Sequence, residues 1–278
     1  PGQLALFSHP VVWAKAVGRS MQALASEQGY QRFLATHSDT IQKWAREGAI
    51  FTPTEFTTTI QGVMGKAPVL GKAVKPFARS FESLINAAKI YGLEATEHLA
   101  KTPQDRVALA RFWNELTGQV DTARMGISPT QRAVETAAMF APRYRRAIYA
   151  LMTDIAKGGL RGKMAQDALV KTTFAGLAAY TGLAVALGQE PNLDPRGPVV
   201  GVGGKRAPGK FLALEIGGQN IGLGGAYYST TRALAQMIVN PEKAPEIAAK
   251  YLQYSSSPVV GTAFDALAHP YWYDTLGE

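Results

Sequence analysis

Cysteine does not occur in the 278 residues, which excludes disulfide bridges, thiol nucleophiles and cysteine-ligated zinc. Histidine is scarce: His9, His37, His98 and His269 stand far apart, and none sits in an H-E-x-x-H frame. No G-x-S-x-G elbow and no recognisable oxyanion loop occurs, so nothing in the sequence favours a serine nucleophile. Charged residues are few, 18% against 46% hydrophobic, too apolar a balance for a disordered chain. Glycine and proline are too sparse for a fibrous one. No signal peptide opens the chain, because Pro1 to Val12 carry no charged side chain other than a titratable His9. The first residue is Pro1 rather than Met, the pattern expected of a processed product or of a piece of a longer polypeptide.

What is present is helix punctuation and a surplus of positive charge. The length suits one large or two small domains, and the formal net charge is +8. A capping-type residue precedes proline at Thr52-Pro53, Thr102-Pro103, Ser128-Pro129, Asn240-Pro241 and Ser257-Pro258. Proline suits the first helical position, where its missing N–H has no intrahelical partner. Glu55, Asp105 and Gln131 can each return a side chain to the cap, with Thr52-x-x-Glu55 and Ser128-x-x-Gln131 matching the capping box.

Apolar spacing agrees. Phe77, Phe81, Leu84, Ile85, Ala88 and Tyr91 recur at three- and four-residue steps, predicting an amphipathic helix from Lys75 to about Ala100. Pro76 then falls in its first turn, and Gly92 is a weak spot. Val107, Leu109, Ala110, Trp113 and Leu116 predict a shorter helix that Gly118 can end. Both stripes read as core. From Gln189 to Gly209 proline and glycine cluster, predicting a loop. Residues Phe211 to Ile216 then alternate, break at Gly217-Gly218-Gln219-Asn220 and resume at Ile221 and Leu223. This predicts a small hairpin with a turn longer or less regular than an Asn-Gly type.

Motifs that could carry chemistry are weak. Gly204 to Lys210 fits G-x-x-x-x-G-K, but Phe211 stands where a magnesium-holding Ser or Thr belongs, and a strand pattern follows where a helix is needed. Glu94, Glu97 and His98 cluster on one helix without the second Glu-x-x-His that a di-metal bundle uses. A solvated face explains them, and no metal or cofactor is expected.

Two adjacent features say more. Arg143, Arg145, Arg146, Lys157, Arg161 and Lys163 face only Asp154 between Pro142 and Lys163, with Tyr144 and Tyr149 interleaved. Such a stretch suits phosphate on nucleic acid or anionic lipid, and equally a solvated basic face. Thr172 to Gln189 is then an uncharged run, about 27 Å long as a helix and at the lower limit for spanning a bilayer core. Ala178, Gly182 and Ala186 recur every fourth residue, the spacing that lets helices approach closely. A buried helix of a soluble bundle is the competing reading.

The order of several segments resembles a known family. Met139-Phe140-Ala141-Pro142-Arg143-Tyr144 precede the apolar helix, and Asp194-Pro195-Arg196 follow it. Then come Gly209-Lys210-Phe211 through Gly224-Gly225, a helix ending Met237-Ile238, Tyr251-Leu252-Gln253-Tyr254 and Ser257-Pro258-Val259. This order is similar to a C-terminal domain of the large polyvalent or internal virion (ejection) proteins of tailed phages and prophages. It covers Ser128 to Leu267. The loop Val199 to Pro208 is more basic and glycine-rich than the pattern. The resemblance implies a protein carried in the virion that leaves with or before the genome, and some proteins of this kind help form a conduit across the host envelope. It implies no catalytic residue.

The expected fold is mainly α, a multi-helix bundle with one small hairpin at about residues 210–223. The expected regions are 1–127, 128–190 and 191–278. The expected function is a non-enzymatic structural virion protein that oligomerises through helices, in the virion and, after ejection, in the host envelope or cytoplasm. Its expected partners are itself, portal or tail components, phage DNA and the host inner membrane. Arg143, Arg145, Arg146, Lys157, Arg161 and Lys163 are the expected phosphate contacts, and Ala178, Gly182 and Ala186 the expected packing or membrane face. Two alternatives stay open: a basic helical nucleic-acid-binding module, and an accessory segment of a giant virion enzyme such as an RNA polymerase.

Overall fold

The structure is a computed structural model that describes residues 2–51, 68–120, 126–128, 130–131, 135, 142–197, 199–200, 205–206, 210–222 and 226–255. Helices hold 78% of them, with a small antiparallel hairpin before the C-terminal helices, so the chain is mainly α. The expected helix starts at Thr52-Pro53 and Ser257-Pro258 lie outside the described residues, as do Met139 to Ala141, Leu223 and Gly224-Gly225. Two compact units are present, residues 1–125 with 143–173 and residues 126–142 with 174–278. The region expected at 128–190 is thus divided between them, the division falling inside a helix.

The first unit contains α1 (Gly2–Ser8), α2 (Pro10–Ala25), α3 (Glu27–Thr36), α4 (Ser38–Arg46) and α5 (Pro68–Thr96). A short 3-10 turn (Glu97–Leu99), α6 (Pro103–Leu116), α7 (Pro142–Lys157) and the first part of α8 (Gly159–Ala186) complete it. Helix α2 lies along α5. Ser20 and Ser80 each donate to the other's backbone carbonyl, at 3.0 and 2.9 Å, and Arg79 Nε donates to the Ala23 carbonyl at 2.6 Å. Residues advancing along α2 meet residues receding along α5, so the pair is antiparallel. Small side chains allow this closeness: Ala16, Ala23, Ala87 and Ala88 form the seam with Tyr30, Phe33 and Ile90.

Helix α5 begins at Pro68, seven residues before the expected Lys75, and Pro76 lies inside it. Pro76 removes one backbone hydrogen bond, yet the apolar face carries the helix past it. Gly92 has a packing reason rather than being a weak spot. A Cβ there would overlap the Trp113 ring, and that ring is fixed because Trp113 Nε1 donates to Thr96 Oγ1 at 2.9 Å. Helix α6 starts with a complete capping box: the Asp105 N–H donates to Thr102 Oγ1 at 3.1 Å, and the Thr102 N–H to Asp105 Oδ2 at 3.0 Å. Gly118, with φ +77, ends it as expected. Ser128 also accepts from its third residue, the Gln131 N–H, at 3.1 Å.

The second unit holds the remainder of α8, two short antiparallel strand pairs, α9 (Ala226–Val239) and α10 (Ala244–Ser255). Strands β1 (Val199–Val200) and β2 (Lys205–Arg206) pair inside the segment expected to be loop; two residues per strand are too few to leave a pattern. Strands β3 (Ala213–Ile216) and β4 (Gln219–Gly222) form the expected hairpin, with Ile216 opposite Gln219. The turn is tighter than expected. Gly217 and Gly218, at φ +59 and +78, supply the two positive φ values of a two-residue primed turn, which lets Gln219 and Asn220 join the strand. Tyr180 and Ala184 of α8 bury Leu214 against this hairpin. The Gln189 amide then pairs with the Glu215 backbone like a strand, donating at 2.7 Å and accepting at 2.9 Å.

Candidate functional site

The basic stretch folds into two helices rather than one surface. Gly158 and Gly159, both with φ near +70, separate α7 from α8. Gly162 allows the corner to close, since a Cβ there would stand 2.5 Å from the Asp154 carbonyl oxygen. The close turn brings Arg161 onto Asp154 as an ion pair at 2.5 Å, though not as an aligned hydrogen bond. Arg161 also donates to Glu115 of α6. The two carboxylates are 2% and 6% exposed. One guanidinium cannot compensate two buried carboxylates, so one of them holds a proton most easily. Burial pushes Glu115 up to about 8; Arg161 opposes that rise, and the Asp154 charge adds to it.

The geometry sets the members of the expected phosphate-contact set apart from one another. Arg161 is committed to two acidic partners, and Arg145 is 8% exposed, packed inside its own unit. A buried or internally neutralised guanidinium cannot meet an external phosphate without opening the unit. Arg146 is half-buried, while Lys157 and Lys163 are exposed. Arg143 lies on α7, with its side chain outside the described residues.

The second part of α8 behaves differently. Gly176, Tyr180 and Ala184, four residues apart, face the interior of the second unit, and a Cβ on Gly176 would overlap Tyr228 of α9. Ala178, Gly182 and Ala186 are exposed. At roughly 100° per residue, Phe174, Ala178, Gly182, Val185 and Ala186 fall within about 120° of arc opposite the buried face. Phe174 is 69% exposed and Val185 65%, and a Cβ on Gly182 would meet nothing within 4 Å. The small-residue stripe is therefore exposed, with open space over Gly182 among the described residues. Among the described helices, α8 is the one long and apolar enough to cross a membrane, with a mean hydropathy of 1.3 over its best window.

The other candidate motifs are occupied structurally. Lys210 pairs with Glu215 at 2.9 Å, Phe211 is buried, and β3 follows where a phosphate loop needs a helix. Glu94 accepts from Thr40 and Glu97 pairs with Lys43. Among the described residues no group of three or more His, Asp or Glu could hold a metal ion. Sequence reasoning missed the buried Lys89, whose ammonium donates to the Ile50 carbonyl and to Gln119 Oε1. Burial lowers its pKa well below the ordinary lysine value. Its place four residues after Ile85, on the core stripe, was the available signal. Glu115 left none, because Arg161 lies 46 residues away.

Compared with protein-family models, curated proteins and solved structures, the chain matches none.

Proposed function

We propose that this chain is a non-enzymatic structural protein of the internal virion (ejection) kind, which self-associates by laying the outward stripe of α8 against a second copy. The observation that carries the reading is Gly182. Glycine inside a helix costs about 1 kcal/mol relative to alanine, and no contact among the described residues needs it, unlike Gly92 and Gly176. Flanked by Ala178 and Ala186 on an exposed apolar stripe, it lets a second helix backbone come close. Exposed apolar faces of this kind mark interaction sites.

The order of segments from Ser128 to Leu267 supplies the context: genome delivery across a host envelope, together with portal or tail components. The length and hydropathy of α8 agree with exposure to a bilayer during that event. Sedimentation velocity tests the self-association. The wild-type chain forms concentration-dependent oligomers at tens of micromolar, and Gly182→Leu, which fills the approach point without touching the unit, shifts it to monomer. A wild-type chain that stays monomeric, or a Gly182→Leu variant that associates equally well, overturns the reading.

A further inference from the structure

A groove of about 370 Å³ lies between α2 and α5, lined by Lys15, Gly18, Arg19, Gln22 and Tyr91. The four α2 residues recur at three- and four-residue steps, so one helix face presents them. Elsewhere in this unit cations meet carboxylates: Arg79 with Glu27, Arg106 with Glu47, Lys171 with Asp167. Lys15 and Arg19 have no carboxylate at ion-pairing distance among the described residues. Neutral groups hold Arg19 instead. Its Nε donates to the Tyr91 hydroxyl at 2.9 Å and its Nη1 to Gln22 Oε1 at 2.9 Å. The guanidinium stands 5.4 Å from the Phe33 ring centroid, and Lys15 Nζ stands 6.0 Å from that of Tyr91. None of these contacts cancels a charge, so two full positive charges line one groove with Arg19 fixed in place.

Gly18 lies between them in the interior of α2, and a Cβ there would meet nothing within 4 Å. Glycine weakens a helix interior, and packing among the described residues gives no reason for it here. Its effect is to bare the helix backbone to a group arriving from outside. Glu94, the carboxylate nearest Tyr91 along α5, is turned to Thr40 Oγ1 at 3.3 Å.

We infer that this groove is a phosphodiester site for a nucleic-acid strand, with one phosphate over Gly18 between Lys15 and Arg19. Arginine offers phosphate a planar fork and lysine a point charge. The groove is open along the surface, which suits a phosphate within a chain better than an enclosed small anion. A net charge of +8 favours a polyanion. The site is independent of the α8 stripe.

The test is fluorescence anisotropy of a labelled thymidine oligonucleotide with the full chain at low salt, comparing wild type, Lys15→Gln, Arg19→Gln and Gly18→Leu. The double variant Lys15→Gln/Arg19→Gln, which lacks both charges, weakens binding by about tenfold or more and lowers the slope of log K against log salt by roughly 0.7, the share of one single-strand phosphate. Gly18→Leu keeps both charges and the fold, verified by circular dichroism, but blocks the seat and weakens binding. Oligonucleotide binding unchanged in these variants, or lost instead in Lys157→Gln or Lys163→Gln, overturns the assignment. If inorganic phosphate binds with the same variant dependence but the oligonucleotide does not, the groove takes small anions and the nucleic-acid assignment falls.

Discussion

Replacing Arg161 by Met decides whether this residue serves the fold or an external phosphate. The change keeps the apolar stem and removes the guanidinium, leaving Glu115 and Asp154, at 6% and 2% exposure, facing each other without a cation. Removing one partner of a buried ion pair costs about 3–5 kcal/mol. The Arg161 side chain is 21% exposed, which places the expected loss near the lower end, about 3 kcal/mol. The loss depends on pH. Arg161 holds the Glu115 carboxyl below the value that burial and Asp154 would give it, so Glu115 binds its proton more tightly in the variant. The variant's deficit is smallest where Glu115 is protonated and grows as pH rises. Urea denaturation of wild type and variant at about pH 5 and pH 8 measures this, and adding Glu115→Gln restores part of the loss at the higher pH. A deficit under about 1 kcal/mol, flat with pH, is the behaviour of an exposed pair and would return Arg161 to the pool of surface cations.

Two titrations act in opposite directions in the wild-type protein. Glu115 keeps its proton in the fold up to about 8 against a usual 4.5, so the unfolded chain releases it first and stability falls as pH rises between those values. His9 is lowered from 6.5 to about 4 by burial, with help from Lys171 and against Asp167; stability therefore falls as pH drops from 6.5 towards 4. Thermal unfolding across pH 4–8 checks both, with Glu115→Gln flattening the upper limb and His9→Phe, which keeps a ring beside Trp113, flattening the lower. Glycine substitutions give a third result, measured by urea denaturation. Gly92→Ala drives a methyl into the fixed Trp113 ring and costs a net of about 2 kcal/mol, whereas Gly182→Ala, with no neighbour, stabilises the isolated chain by about 1 kcal/mol.

Local signals in the sequence carried furthest. The Thr102-Pro103-x-Asp105 cap needs only four consecutive residues, and it forms with both hydrogen bonds in place. The hairpin was legible from alternation between Phe211 and Leu223, but its turn was misjudged because Gln219 and Asn220 look like turn residues and act as strand. The start of α5 was misplaced because Pro76 satisfies the rule for a first turn while lying inside a longer helix. Direction was harder to read than spacing. A run of Arg and Lys reads as one basic surface until the Gly158-Gly159 corner turns Arg161 onto Asp154 and Glu115. The four-residue spacing of Ala178, Gly182 and Ala186 was plain, but a spacing has no outward or inward sense until Gly176, Tyr180 and Ala184 are seen to take the buried side. The Lys15–Arg19 groove needs Tyr91, 72 residues from Arg19, and nothing local announces it.

Cross-linking through introduced thiols tests the α8 interface most directly, because a chain without cysteine gives no background. In a double variant, Ala178→Cys with Ala186→Cys, either a parallel or an antiparallel pairing centred on Gly182 brings thiols from two copies together, and a disulfide forms only where Cβ atoms approach within about 4.5 Å. Lys157→Cys, exposed on α7, is the control. Rapid oxidation to a covalent dimer in the double variant, and none in the control, is the expected outcome. Equal cross-linking at both places, or none at either, contradicts self-association through α8.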